Sequence, residues 1–503
     1  MNTIKKIEEL KEYLKKIEYL GSCISLLQWD SAVNMPKEAI EYRSEMIGYL
    51  TGESYKLTTS EKMKEFIDYF SEIDDLDDLT KAMIENITKD YNLATKIPEA
   101  EYVQFEIDKA LSESAWEEAK KKKDFSIFKP HLAKMIAYNK KFSEYWGFAG
   151  NKYDGLLDIY EPGMTTERLD VVFGELRESL VDLLQRIKNS NIKTDDTFLE
   201  GNYSVESQKK LGETILGQIC YDYEKRGRID VSEHPFTTNF GNKDVRITTK
   251  YDTSDFRPAI FSMIHEGGHG IYEQNIPDEL EGTSLGSGAS MGMHESQSRF
   301  YENILGKSME FWSCFYSKFQ ETYKVLEGVD LISFYRAINC VEPSLIRIDA
   351  DELTYSLHVI IRYEMEKLLI NSDINIDDVP RLWNEKYKEY LGVEPENYAD
   401  GVLQDVHWSG GDFGYFPTYA LGNLYGAQIF NKLKEEIPDW NQKICNGDFA
   451  SITKWLKENV HQYGASLKPA ELIKKVTGEE LTAKYFIDYL NDKFGRLYSL
   501  HEE

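Results

Sequence analysis

The chain has 503 residues, 41% hydrophobic and 29% charged, with 33 glycines and only 13 prolines, which predicts a large, mostly helical, soluble protein. Its 59 Lys and Arg against 87 Asp and Glu leave a net charge of −28, which repels polyanions and excludes nucleic acid and anionic membrane surfaces as partners. Five widely spaced cysteines without a Cys-x-x-Cys pair, no run of 18 apolar residues and no signal-like N-terminal stretch exclude a disulfide scaffold and a membrane span, and predict a cytoplasmic protein.

Taken in chain order, Ile4, Ile7, Leu10, Leu14, Ile17 and Leu20 recur at helical spacing, and Gly21 then interrupts the pattern. Further helical patterns cover Tyr42 to Leu50, Ser60 to Ile73 and Leu79 to Leu93. Pro98 opens another helix that runs to about Lys123. The lysines from Lys120 to Lys123 suit a solvated helix C-terminus better than a docking patch. Phe128 to Trp146 is helical, and Thr165 or Thr166 caps a helix ending near Ile187. The first 200 residues therefore read as helical scaffold.

A helix from about Ser207 to Gly227 precedes a change of texture. Phe236, Thr238 and Phe240 alternate, Gly241-Asn242 signals a tight turn, and Val245, Ile247, Thr249 and Tyr251 alternate again. This is a hairpin, either structural or offering an edge to an extended peptide. It feeds into a helix from Thr253 to Asn275, capped by Ser254 or Asp255, with Pro258 in its first turn and Pro277 beyond its end.

That helix carries His265, Glu266 and His269, a His-Glu-x-x-His pattern. Residues four apart lie one above the other, about 6 Å along the axis, so both imidazoles can grip one ion. Glu266 lies about 100° round the helix, within reach of a metal-activated water. Gly267, Gly268 and Gly270 each weaken a helix interior by about 1 kcal/mol, so either a metal with its substrate or a crossing helix must come close there. Glu273 lies about 12 Å of axis from His265, too far to share its ion. The third ligand must come from another element. A helix from about Ser290 to Leu305 can fold back and present Glu295, with Glu302 in reserve, although Glu295 and Arg299 also have the spacing of a plain i,i+4 ion pair.

Beyond Pro343 a helix starts near Asp351, with Arg347 just before it, and Asp349, Asp351 and Glu352 suit its N-terminus. Gln404, Asp405, His407, Trp408, Tyr415 and Tyr419 then share a glycine-rich stretch that reads as a site wall. The rest, from about Ala427 to Leu500, is ordinary helix. His131 and His461 have no motif around them and read as structural or surface histidines.

In this order the chain resembles the carboxypeptidase Taq family of metallocarboxypeptidases. The resemblance is carried by HPF at His234–Phe236, DVRIT at Asp244–Thr248, HEGGH at His265–His269, HES at His294–Ser296, IRIDAD at Ile346–Asp351 and GVLQDVHW at Gly401–Trp408. It implies a mainly α, two-lobed fold with a deep groove and a small sheet beside the metal, residues 1–503 forming a single catalytic domain, and a homodimer. By the same likeness His265, His269 and Glu295 bind one divalent ion, zinc or in some members cobalt, and Glu266 is the general base. Arg347 is the implied grip for a peptide's terminal carboxylate and Arg246 the second candidate; without the likeness, a plain ion pair of Arg347 with Asp349 or Asp351 would stand equally. His234, Gln404, His407, Tyr415 and Tyr419 complete the implied groove wall, with Tyr419 or His407 as an oxyanion donor. The expected reaction is removal of C-terminal residues from peptides, with a water on the metal as nucleophile. An oligopeptide endopeptidase with the same chemistry and a non-catalytic helical scaffold are the alternatives.

Overall fold

The computed structural model describes residues 2–500. It is predominantly helical, with one small sheet. The chain packs as two compact units. The first comprises the residues up to Thr95 with Asp195–Ile338 and Ile429–Glu479; the second comprises Lys96–Thr194, Asn339–Gln428 and the residues from Glu480 on.

In the first unit, the opening helix Asn2–Val33 runs straight through Gly21, where the pattern predicted an interruption. A side chain at Gly21 would meet nothing, so the glycine weakens the helix locally without redirecting it, and burial of Leu10 and Leu14 outweighs that loss. These two leucines share a core with Met63, Phe66, Phe70 and Met83, and with Ile276, Leu280 and Leu285. The N-terminal helices thus brace the connection that follows the His-Glu-x-x-His helix. Ser60 caps the helix Glu61–Ser71, accepting from the Met63 amide.

The expected hairpin is the antiparallel pair β2 (Thr237–Asn239) and β3 (Val245–Thr249), in the register Thr238 opposite Arg246. Gly241, at φ +115°, makes the turn. A third strand, β1 (Gly227–Val231), was not foreseen and pairs parallel with β3, giving the order β1-β3-β2. The helix expected to reach Gly227 stops at Gln218, and Cys220 takes a left-handed backbone (φ +77°) that redirects the chain. Strand β1 alternates only between partly buried and exposed residues, so pairing with β3, not hydrophobic pattern, defines it.

The metal helix is Arg257–Gln274. Asp255 accepts from the Arg257 amide, Pro258 sits in the first turn, and Ile260, Met263, Ile264 and Ile271 are fully buried. Its three glycines are explained by neighbours on three sides. A methyl at Gly267 would stand 2.5 Å from Leu216, at Gly270 2.6 Å from the Tyr221 ring, and at Gly268 2.7 Å from the Gln297 carbonyl oxygen. The last contact is backbone against backbone with the helix Met291–Arg299, which Ser290 caps. Between a crossing helix and a metal with substrate, the packing chooses the crossing helix. Beyond Arg299 the helix continues as a wider π-helical turn, Phe300–Leu305.

In the second unit, Pro98 precedes the helix Glu99–Lys122, and Thr165 caps Thr166–Asn189. The helix expected from Asp351 begins at Tyr355 and runs to Asn371. Asp351 instead forms the turn before it, accepting from the Leu353 and Thr354 amides. The glycine-rich segment folds into a short helix, His407–Gly410, and a bend at Gly414 (φ +88°), which lies against the backbone of Leu156 where no side chain fits.

Gly268→Ala is expected to destabilise the protein by about 2–3 kcal/mol, because rigid backbone must move aside. Gly21→Ala should instead stabilise it by up to about 1 kcal/mol. Denaturant unfolding monitored by circular dichroism checks both, and equal shifts for the two variants would show that the close approach is immaterial.

Candidate metal centre

The close crossing at Gly268 brings Glu295 against the two histidines. His265 Nε2 and His269 Nε2 lie 3.6 and 3.4 Å from Glu295 Oε2, and one ligand atom from each of the three residues lies within 4.8 Å of the others. Two nitrogens and one oxygen around a common point are the donor set of a hydrolytic metal centre, in which a further coordination position is left for water or substrate. The residues present fit a divalent ion.

Each imidazole is fixed by its other nitrogen. His265 Nδ1 is 2.8 Å from Glu302 Oε2. His269 Nδ1 is 2.6 Å from His294 Nδ1, and His294 Nε2 is 2.6 Å from Glu273 Oε1, whose second oxygen accepts from the side-chain Nδ2 of Asn239 on β2. A consistent tautomer set follows: with both metal-facing Nε2 atoms unprotonated, His265 donates to Glu302, and His269 donates through His294 to Glu273. Glu302, the reserve ligand, is therefore an orienting group that the π-helical turn delivers to His265. Glu273, outside the cluster of His265, His269 and Glu295, anchors the other histidine through His294.

Glu295 makes the i,i+4 ion pair and faces the two histidines at the same time. Arg299 Nε donates to Glu295 Oε1 at 2.7 Å while Oε2 faces the histidines, and Arg299 Nη1 also reaches Glu302 at 3.2 Å. Burial alone would raise the Glu295 carboxyl, but Arg299 and then His265 hold it well below the carboxylate range, so it is an anion. Burial lowers His269 to about 3, leaving it a neutral donor. For His265 burial acts downward too, yet Glu295 and Glu302 outweigh it and the imidazole stands above its ordinary value. Glu266 is buried, which raises its carboxyl, and its Oε2 accepts a 2.6 Å hydrogen bond from the Thr237 hydroxyl of β2.

The other predicted residues fall in two places. In the first unit, Arg246 is paired two-pronged with Asp244 (2.8 and 2.7 Å) and packed between the rings of Trp29 and Phe240. His234 is exposed in the loop before β2. The second unit gathers Arg347, Gln404, His407, Tyr415 and Tyr419 into one cluster. Arg347 is buried against Phe416 and Tyr419, donates from Nε and Nη2 to Asp405 and from Nη1 to the Tyr355 hydroxyl. Its ionic partner is thus neither Asp349 nor Asp351, because the turn at Asp351 engages that carboxylate with backbone amides instead. Asp405 also accepts from Arg362 at 2.7 Å. Gln404 accepts from the Arg347 amide, and His407 stacks on Tyr415, burial lowering it to about 4. Sequence reasoning missed Thr237 and Arg362, and it named His294 and Asp405 only as members of a motif and of a site wall, not as the hydrogen-bond partners they are. His461, read as a structural or surface histidine, is fully buried between Gln297 and Asn275, so the surface alternative falls.

A mainly helical metallopeptidase is the class that this fold and this centre define. The chain matches the family described as carboxypeptidase Taq (M32) metallopeptidase over residues 9–494. It is 47% identical to carboxypeptidase 1 of Bacillus subtilis over 98% of this chain and 99% of that one, and 39% identical to thermostable carboxypeptidase 1 of Thermus thermophilus over 98% of each. Among solved structures, an M32 carboxypeptidase from Deinococcus radiodurans superposes with a TM-score of 0.95 at 35% identity, covering 98% of this chain and all of that one (100%). The chain belongs to the carboxypeptidase Taq (M32) family and is a metallocarboxypeptidase that uses a divalent ion.

Glu302→Gln and His294→Ala are each expected to weaken metal binding about 10- to 100-fold while leaving the fold intact. Competitive titration with a chromogenic chelator, beside circular dichroism, measures this. Because His265 is raised in the metal-free site, a proton competes with the ion. Affinity should therefore begin to fall above the ordinary histidine range and go on falling through it, by about tenfold per pH unit for one displaced proton, and pH-independent binding between about 5 and 7 would refute it.

Proposed function

We propose that the protein removes C-terminal residues from peptides one at a time, with His265, His269 and Glu295 holding a single zinc ion, for which cobalt can substitute, and Glu266 as general base. The observation that carries this reading is the convergence of two imidazole nitrogens and a carboxylate oxygen beside a buried Glu266 on the same helix. When bound, the ion polarises the scissile carbonyl and acidifies the attacking water. Glu266 takes the water's proton and returns it to the leaving amine, a task suited to a carboxyl that burial raises. Strand β2 lies at the edge of its sheet, so an extended substrate can add its main chain there.

Arg347 is the grip for the terminal carboxylate. Support comes from charge balance: two buried guanidiniums, Arg347 and Arg362, share the single carboxylate of Asp405, leaving an excess positive charge that a substrate carboxylate would neutralise. Gln404 fixes the Arg347 backbone, and His407, Tyr415 and Tyr419 wall the cluster, with Tyr419 or His407 as the oxyanion donor. His234 lines the approach, and Arg246 stands second to Arg347 because Asp244 already engages its fork. Cytoplasmic residence and a homodimer belong to the same proposal. The helix Ile40–Thr58 supports the dimer, since it buries none of its residues and exposes Ile40, Tyr42 and Tyr49.

Mass spectrometry of one peptide with a free and with an amidated C-terminus tests the reading. Stepwise loss of single residues from the free form alone is expected, abolished by chelator and reduced about 10²- to 10⁴-fold by Glu266→Gln. Internal cleavage of the amidated peptide would replace it with an endopeptidase.

A further inference from the structure

Thr237 belongs to none of the segments on which the resemblance rests, and the alternation of Phe236, Thr238 and Phe240 leaves it on the opposite face of the strand. Residues 237 and 239 of β2 share one face, and both reach the metal helix: Thr237 bonds Glu266, and Asn239 bonds Glu273, seven residues further on. Seven residues are about two helical turns, so Glu266 and Glu273 also share a face. Strand and helix are therefore fastened to each other at two points, and the first is the reacting carboxylate.

The Thr237 hydroxyl lies 2.6 Å from Glu266 Oε2 and 3.1 Å from the main-chain oxygen of the same residue. The Oε1 atom of Glu266 accepts no hydrogen bond from any described residue, so the hydroxyl engages one carboxylate oxygen and leaves the other to the water. We propose that Thr237 is a positioning residue for the general base, holding the Glu266 carboxylate in one orientation throughout the proton cycle. While Glu266 is an anion, Thr237 donates its single hydroxyl proton to Oε2. Once Glu266 has taken the water's proton on Oε1, the hydroxyl goes on donating to Oε2, by then the carbonyl oxygen of the neutral acid, so that Oε1 keeps its orientation until the proton leaves on the amine. One hydroxyl thus satisfies a buried carboxyl in both of its states, and no apolar side chain can do so.

This inference rests on Glu266 being the base, and the experiment separates the two claims. Steady-state kinetics on one free-carboxylate peptide are measured for the wild type, Thr237→Val, Thr237→Ser and Glu266→Gln, each zinc-loaded, with metal content and thermal midpoint recorded. Valine keeps the shape and the β-branch, and is expected to lower kcat about 10- to 100-fold with KM changed less than about twofold. Serine should recover kcat to within about threefold of wild type, metal content and thermal midpoint staying unchanged throughout. An undiminished kcat in Thr237→Val, with Glu266→Gln inactive, would overturn the role of Thr237 alone. Equal losses in the valine and serine variants, or loss of bound metal in the valine variant, would make the residue a packing element and overturn it too. Full activity in Glu266→Gln would instead remove the general base on which the inference stands.

Discussion

Everything at the metal centre depends on how closely two helix backbones approach at Gly268. His265 and His269 stand correctly spaced on any helix, but two imidazoles make an incomplete site. The third donor is 26 positions further along the chain, on a helix that contacts the first through the Gln297 carbonyl oxygen and the Ser298 Cα. Only a residue without a side chain permits that contact. Gly267 and Gly270 do the same toward Leu216 and Tyr221, so the metal helix is wedged between a helix, the segment leading into the sheet and the glutamate helix. The instability that three glycines bring to a helix is offset by burial on every side.

Such packing forces charge into a dry place, and the protein answers with networks in which every ion has a partner. Arg299 bridges Glu295 and Glu302, so the ligand carboxylate is held anionic on one oxygen while the other remains available to an ion. His265 leans on a carboxylate directly, and His269 does so through a second imidazole. The second unit repeats the logic with opposite sign. Asp405 is pinned between Arg347 and Arg362, and nearby Glu366, which burial raises to about 7, accepts from Tyr153, Trp408 and the Gly414 amide.

Much of the fold was legible because helices are local objects. The caps at Ser60, Thr165 and Ser290, the proline starts at Pro98 and Pro258, and the buried stripe of the metal helix all follow from side chains within a few residues of one another. The β2–β3 hairpin was legible for the same reason. Strand β1 was not, since its pairing with β3 is parallel and its own alternation is weak. The extension through Gly21 escaped too, because a glycine signals a break only when nothing else holds the helix.

For the site, the sequence by itself picked out His265, Glu266, His269 and a short choice of third donors, because a His-Glu-x-x-His helix dictates its own geometry. It also determined the family, through six motifs in a set order. The tertiary structure alone decided that Glu295 faces His265 and His269 while Glu302 bonds His265, that Asp405 rather than Asp349 or Asp351 pairs with Arg347, and that Thr237 bonds Glu266. Each of these rests on contacts across tens of residues, or on which oxygen of a carboxylate faces which neighbour. Local spacing cannot encode such choices; close packing at three glycines, a π-helical turn and the face of a three-residue strand do.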